Sequence, residues 1–262
     1  MPAAETFRQA HADWREARME KLTAETGWLN LLGRWWVTPG TWTIGSAPGS
    51  DIRLPEGPEL LGRLVLETPD SGSFLSAEGA EIPIDRASGR TSWQAGRFAL
   101  EIAALNDWRA LRVRDRHSAA AEALAPIPHF PLDPALRITA SWEALPQALA
   151  LTQDTVVGLP IRVQATHVAR LELQGESLAL LATHGTAERP QFVFRDLTSK
   201  DDTYAPMRFV FGEEVTDGSV VIDFNRAINP PSAFTPHALC PLPPRENLLF
   251  TRIEAGERRL SR

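Results

Sequence analysis

Ile161-Arg-Val-Gln-Ala-Thr-His-Val-Ala-Arg-Leu-Glu-Leu173, Gln174-Gly-Glu176 and Ser177-Leu-Ala-Leu-Leu-Ala182 decide the fold class. Two runs of strand-forming residues separated by a short glycine-bearing break read as an antiparallel hairpin. Downstream, Gln191-Phe-Val-Phe-Arg-Asp196 is a further strand. Arg208-Phe-Val-Phe-Gly212 and Ser219-Val-Val-Ile-Asp-Phe224 flank Thr216-Asp217-Gly218 and form a second hairpin. Upstream, Thr41-Trp-Thr-Ile44, Ile52-Arg-Leu54, Arg63-Leu-Val-Leu-Glu67, Gly96-Arg-Phe-Ala-Leu-Glu-Ile102 and Trp108-Arg-Ala-Leu-Arg-Val-Arg114 are successive short strands. The last alternates, with Trp108, Ala110, Arg112 and Arg114 on one face and Arg109, Leu111 and Val113 on the other. Such alternation sets one face on a core and the other in water or along a charged groove.

Between these halves, Ala125-Pro-Ile-Pro-His-Phe-Pro-Leu-Asp-Pro134 holds four prolines in ten residues. Proline lacks an amide hydrogen and resists helix and central strand alike, so the stretch reads as a semi-rigid connector. At the start, Phe7, Ala10, Trp14, Ala17 or Arg18, and Leu22 recur at helical steps, and Gly27 follows as a stop. The expectation is a mainly β protein: antiparallel sandwich or barrel-like sheets in two halves, with an N-terminal amphipathic helix packed on the core. The parts are a helix at 1–26, a β half at 27–124, the connector at 125–134 and a second β half at 135–262. The two halves could equally form one composite domain. No repeat of fixed period runs through the chain.

The 262 residues are 43% hydrophobic and 23% charged, an ordinary globular balance. Lys and Arg number 27 against 33 Asp and Glu, and no long basic run is present, which argues against nucleic-acid binding. The Arg-rich end, Glu257 to Arg262, reads as a solvated tail. Cys240 stands alone, so no intramolecular disulfide and no cysteine-rich metal site is expected. The N-terminus lacks the apolar core of a signal peptide, and the longest apolar run, near Ser177 to Ala182, is far short of the roughly 20 residues a membrane helix needs. A cytoplasmic protein without membrane contact is the expectation. A Gly-x-Ser-x-Gly elbow, a phosphate-binding Gly-Lys-Ser or Gly-Lys-Thr, His-Glu-x-x-His and a dinucleotide fingerprint are all missing, and no cofactor or metal is predicted.

The chemically suggestive stretch is Asp223-Phe-Asn-Arg-Ala-Ile-Asn-Pro-Pro231. Read as a strand end, it puts Val221, Asp223 and Asn225 on one face beside Arg226, with the diproline stiffening the exit. Asp223 would orient Arg226 or act as a base, and Arg226 would clamp a carboxylate or phosphate. The competing reading is a structural knot, with Asp223 and Asn225 satisfying the backbone of the next loop. Tyr204, the one tyrosine, and Arg208 are expected to approach through the hairpin. His237 and Cys240 lie three residues apart. Completing a metal site would take scattered residues such as His129, His167, His184 or Asp223. The prolines after Cys240 favour a packed thiol.

Two resemblances follow from motifs. Ile44-Gly45-Ser46 with Asp51-Ile-Arg-Leu-Pro55 resembles the opening of a forkhead-associated domain, a β-sandwich that reads phosphothreonine. That family's Ser-x-x-His turn does not follow, and phosphopeptide binding is not carried across. Over nearly the whole chain the sequence resembles the bacterial and archaeal family called domain of unknown function 1684. The carrying strings are Gly27-Trp-Leu-Asn-Leu-Leu-Gly33, Ile44 to Pro55, Phe194-Arg-Asp-Leu-Thr-Ser199 with Thr203-Tyr204, Asp223 to Pro231, Cys240-Pro-Leu-Pro-Pro244 with Asn247, and Ala255-Gly-Glu257. The chain departs from the family pattern at Lys200, Met207, Ile228 and Ser232. The resemblance implies a location for a site and no activity.

Two functions are therefore expected as alternatives. The first is a pocket in the C-terminal half that binds, and could convert, a small polar or anionic molecule. Tyr204, Arg208, Asp223, Asn225, Arg226 and Asn229 would line it, with Cys240, Asn247 and Glu257 nearby. The second is a non-catalytic β module that binds a protein through Trp14, Trp28, Trp35, Trp36 and Trp42. Homodimerisation through an exposed sheet edge would accompany either.

Overall fold

The computed structural model describes residues 2–260 and is built mostly of antiparallel β-sheet. The chain divides into two compact units. One comprises Glu20–Leu124; the other takes the described residues up to Met19 and those from Ala125 onward. A helix, α1 (Pro2–Thr23), precedes all the strands.

The Glu20–Leu124 unit holds β1 (Leu31–Trp36), β2 (Gly40–Gly45), β3 (Ile52–Arg53), β4 (Gly62–Thr68), β5 (Ser71–Ser76), β6 (Glu81–Asp85), β7 (Ser92–Ala95), β8 (Phe98–Leu105) and β9 (Trp108–Asp115), then a short helix, α2 (Ala119–Glu122). They form a four-stranded sheet ordered β1-β9-β8-β7 and a five-stranded one ordered β3-β2-β4-β5-β6. Only the β2–β3 pair among these is parallel. Ile44, Leu64, Phe74 and Ile84 from one sheet and Trp93, Leu100, Leu111 and Val113 from the other share a single core, which makes the unit a sandwich. A Cβ at Gly33 would fall 2.1 Å from the Trp35 indole, so the ring would have to shift to admit one.

The other unit holds β10 (Arg137–Gln153), β11 (Ile161–Leu173), β12 (Glu176–Leu181), β13 (His184–Gly185), β14 (Pro190–Phe194), β15 (Arg208–Glu213) and β16 (Ser219–Asp223). These pair antiparallel in the order β12-β11-β10-β16-β15-β14-β13. Gln174 and Gly175 join β11 to β12 with φ of 53° and 83°, the geometry of a two-residue hairpin turn. β10 carries no strand signal in its second half. Its register breaks between Ala144 and Leu149, where Pro146 cannot donate to the ladder. Trp142, Leu171, Phe192, Phe194, Ile222 and Phe224 share one core, and full burial of each such side chain stabilises by roughly 1.5–3 kcal/mol.

Two local readings change. β16 stops at Asp223 and the chain turns through a 3-10 turn, Phe224–Arg226, capped by the Asp223 carboxylate, which accepts from the Asn225 amide at 3.0 Å. Asp223 and Asn225 therefore do not share a strand face; an aspartate that bonds its own backbone two residues on ends the strand there. Arg208 stands opposite Phe194 on β14, and β15 meets β16 only at Gly212–Ile222 and Glu213–Val221. The proline-rich stretch is held along 256–258: Phe130 donates to the Gly256 carbonyl, Arg258 to that of Pro128, and His129 bridges Glu257.

The sheet leaves β12 and β14 unpaired with each other. The Asn247 side chain fills that gap, accepting from Leu181 N at 2.8 Å and donating to the carbonyls of Leu181 at 2.9 Å and Val193 at 2.8 Å. Among the described residues no helix is long and apolar enough to cross a membrane.

Gly256 sits at φ +79° with an added Cβ falling 2.4 Å from the Ala227 carbonyl oxygen, whereas Gly158, at φ +75°, has open space around it. Denaturant unfolding is expected to show Gly256→Ala destabilised beyond the roughly 1–3 kcal/mol of backbone strain, and Gly158→Ala within it. Equal losses would contradict the close approach.

Candidate functional site

The C-terminal motifs fold into three buried polar clusters. In the first, Arg208 is 1% exposed and its guanidinium reaches Asp196 Oδ1 at 3.0 Å and the carbonyls of Ile253 and Ala255, while lying over the Phe194 ring at 5.1 Å. Asp196 also accepts from Ile253 N at 2.8 Å and from the Thr198 hydroxyl. Burial lowers the Arg208 pKa from its ordinary value, and Asp196 opposes that shift. The fork thus ties the terminal segment to β15.

In the second cluster Asp223, 1% exposed, accepts from Asn225 Nδ2 at 2.9 Å and meets His11 Nε2 from α1 at 2.9 Å. The other ring nitrogen, Nδ1, lies 2.8 Å from the Phe7 carbonyl. Both nitrogens thus face oxygens, one of a carbonyl and one of a carboxylate. Asn225 turns its amide to the backbone of Asp133, both donating and accepting. Arg226 points to Glu213 at 2.7 Å and approaches Asp223 only to 3.9 Å. The expected anion clamp is thereby engaged with a carboxylate of the protein itself. Tyr204 donates to the Ser232 carbonyl at 3.0 Å. No hydrogen bond or ion pair among the described residues joins Tyr204 or Arg208 to Asp223.

The third cluster joins Glu257, fully buried, to Arg18 of α1 at 2.9 Å and to the Asn229 amide at 2.6 Å. Arg18 also donates to the Asn229 carbonyl at 3.0 Å and lies over Phe234 at 5.6 Å. Asn229 Nδ2 donates to the Arg258 carbonyl at 2.8 Å. The sequence reading missed His11, Arg18 and Asp196. His11, Arg15 and Arg18 are spaced by four and three residues, one helix face, and that spacing was the available signal.

Between the two α1 contacts stands Arg15. It is half-buried, burial lowers its pKa, and among the described residues it has no hydrogen bond or ion pair. Nearby, His129 donates from Nδ1 to the Ile127 carbonyl at 2.7 Å, which leaves Nε2 as a buried acceptor without a partner. Burial, then the fields of Arg15 and Arg18, hold the His129 pKa down at about 4 against an Ile127 contact that favours the charged ring. Asn229 Oδ1 and Ser232 Oγ are likewise buried without partners.

Asn247 is taken up by its backbone contacts, and Cys240 is a buried thiol outside any disulfide. Cavities of about 500, 240 and 520 Å³ lie elsewhere. The first is flanked by Arg170 and Leu178, the second by Asp202 and Arg258, the third by Leu178 and Phe250; none is lined by a residue picked from the motifs. Among the described residues no three His, Cys, Asp or Glu side chains converge to hold a metal ion. Trp14, Trp28, Trp35, Trp36 and Trp42 are all partly buried, and Trp108 is the exposed tryptophan.

A family model described as "Protein of unknown function (DUF1684)" matches residues 122–258, and the chain belongs to that family. The solution NMR structure of an uncharacterised protein from Haloarcula marismortui is 27% identical, covers 52% of this chain and 78% of its own, and superposes with a TM-score of 0.43. No curated protein matches the chain.

Two outcomes are expected. Breaking the buried His11–Asp223 pair by His11→Ala should destabilise by about 3–5 kcal/mol, and a double-mutant cycle with Asp223→Ala should return a coupling well above the ~1 kcal/mol of an exposed pair. An additive cycle would contradict the pairing. The folded His129 ring stays neutral where the unfolded ring takes a proton, so its stabilising contribution is complete above pH 6.5 and is lost as the pH falls toward about 4. In denaturation at stepped pH, His129→Gln should flatten that slope by about 1–3 kcal/mol across the window; an unchanged slope would contradict it.

Proposed function

We propose that this DUF1684 protein binds a small hydroxy-carboxylate at the inner face of α1, with Arg15 taking the carboxylate. One observation carries the reading. His11 and Arg18, on the same helix face, each meet a buried carboxylate, while Arg15 between them meets none. A half-buried guanidinium without a counter-charge is unfavourable, and an anionic ligand offsets that deficit with a two-pronged contact.

Other buried polar atoms without partners narrow the ligand. His129 Nε2 and Asn229 Oδ1 are acceptors, and Ser232 Oγ can donate or accept. A simple anion would leave the two acceptors unmet. A carboxylate bearing a hydroxyl meets Arg15 with one end and donates with the other. His129, kept neutral by burial and by the two arginines, retains its acceptor lone pair at neutral pH. Arg208, Asp223, Asn225, Glu257 and Asn247 act behind this surface by fixing the segments that carry it. The single, buried Cys240 supports a reducing, cytoplasmic setting.

Thermal unfolding with lactate and malate, against acetate at equal ionic strength, tests the reading. The native protein should show a saturable rise in Tm with the hydroxy acids, since a ligand at 100 times its Kd adds about 2.7 kcal/mol. Arg15→Ala should fold and lose the response. A rise that survives Arg15→Ala undiminished would overturn the proposal.

A further inference from the structure

The outer face of the four-stranded sheet in the Glu20–Leu124 unit carries a charge pattern that packing does not require. Arg34 on β1 lies directly opposite Arg112 on β9, and Arg114 follows two residues on. Like charges directly across a sheet are destabilising. Glu101 on β8 stands beside two of them, 3.1 Å from Arg114 and 3.7 Å from Arg112. Arg112 and Arg114 thus both reach Glu101, whereas Arg34 meets no carboxylate among the described residues. Its Nε and Nη1 are buried without a partner, as is Arg114 Nε. Burial, and then Arg112, lower the Arg34 pKa.

Aromatic rings fix the arginine planes. Arg34 lies over Trp36 at 4.9 Å, and Arg112 and Arg114 lie over Trp28 at 5.3 and 5.8 Å. A guanidinium stacked by its face directs its N–H groups sideways, in the plane of the fork. Trp36 leads on to Trp108 at 5.5 Å, and Trp108 is 50% exposed, so the aromatic row reaches solvent.

We propose that this face is a binding site for a phosphate-type dianion, either free phosphate or a phosphomonoester, held by Arg34 together with Arg112 and Arg114. A dianion supplies the counter-charge that Arg34 lacks and gives the partnerless N–H groups of Arg34 and Arg114 acceptors in a forked geometry. This site is independent of the one at Arg15: it lies in the other unit and outside the matched region of the chain.

The test is titration of the full-length protein with inorganic phosphate and with glycerol phosphate, read by tryptophan fluorescence and Tm, with chloride at matched ionic strength as the reference. The native protein should respond saturably to at least one of the two, and the tighter probe identifies the source. Arg34→Met should weaken binding at least tenfold while matching or exceeding the native Tm without ligand, because it removes the Arg34–Arg112 repulsion. Glu101→Gln, which removes the competing carboxylate, should tighten binding several-fold. Arg34→Lys keeps the charge without the fork and should also weaken it, which serves should Arg34→Met not fold. No saturable response beyond chloride, equal affinity in the Arg34 variants, or weaker binding in Glu101→Gln would overturn the proposal.

Discussion

An antiparallel sheet of seven strands that does not close leaves two rows of backbone groups in need of partners, and the C-terminal unit is arranged around meeting that need. The unmet groups lie on β12, at one edge, and on the part of β14 that the two-residue β13 does not cover. The Asn247 amide substitutes for a strand, offering one acceptor and two donors where the backbone would have offered them. Its own backbone continues the contact: Arg195 N donates to the Asn247 carbonyl and Leu249 N to that of Arg195. An unpartnered buried peptide group costs about 1–3 kcal/mol, so one side chain that satisfies three such groups weighs heavily in a marginally stable fold.

Beyond that seam the chain returns along β15 and the 227–229 segment, and each later anchor is polar. Arg208 holds the carbonyls of Ile253 and Ala255, Gly256 makes the bend that only its φ allows, and Glu257 then meets Asn229 and Arg18. α1 joins through His11 and Arg18. Buried ion pairs are weak sources of net stability, because desolvation consumes much of the attraction. They do fix geometry, since any other register strands a charge. A helix docked in this way holds Arg15 in a defined place while leaving it without a carboxylate, which is the circumstance a ligand site needs.

The hairpins were legible because their signals are local. Gln174-Gly175 sets the turn, and the strands on either side carry the residues that β-structure favours. The sandwich faces followed from the alternation around Leu111 and Val113. β10 was not legible, since its second half contains Pro146 and stays mostly exposed. α1 was legible as a helix, but its packing face was not. The apolar spacing pointed to Phe7, Ala10 and Trp14, whereas Ala10 is exposed and His11 is buried. The reason is distance along the chain: His11 meets a carboxylate 212 residues away and Arg18 one 239 residues away. Asp223, Asn225 and Glu257 stood out as motif residues for the same reason that their roles did not. The strings are contiguous and their partners are not.

The most direct measurement is a crystal structure grown with saturating malate. The account predicts electron density for the ligand with its carboxylate on Arg15 and a hydroxyl within hydrogen-bond distance of His129 Nε2 or Asn229 Oδ1. Ligand bound elsewhere while Arg15 stays unoccupied, or Arg15 turned to a carboxylate of the protein itself, would contradict it.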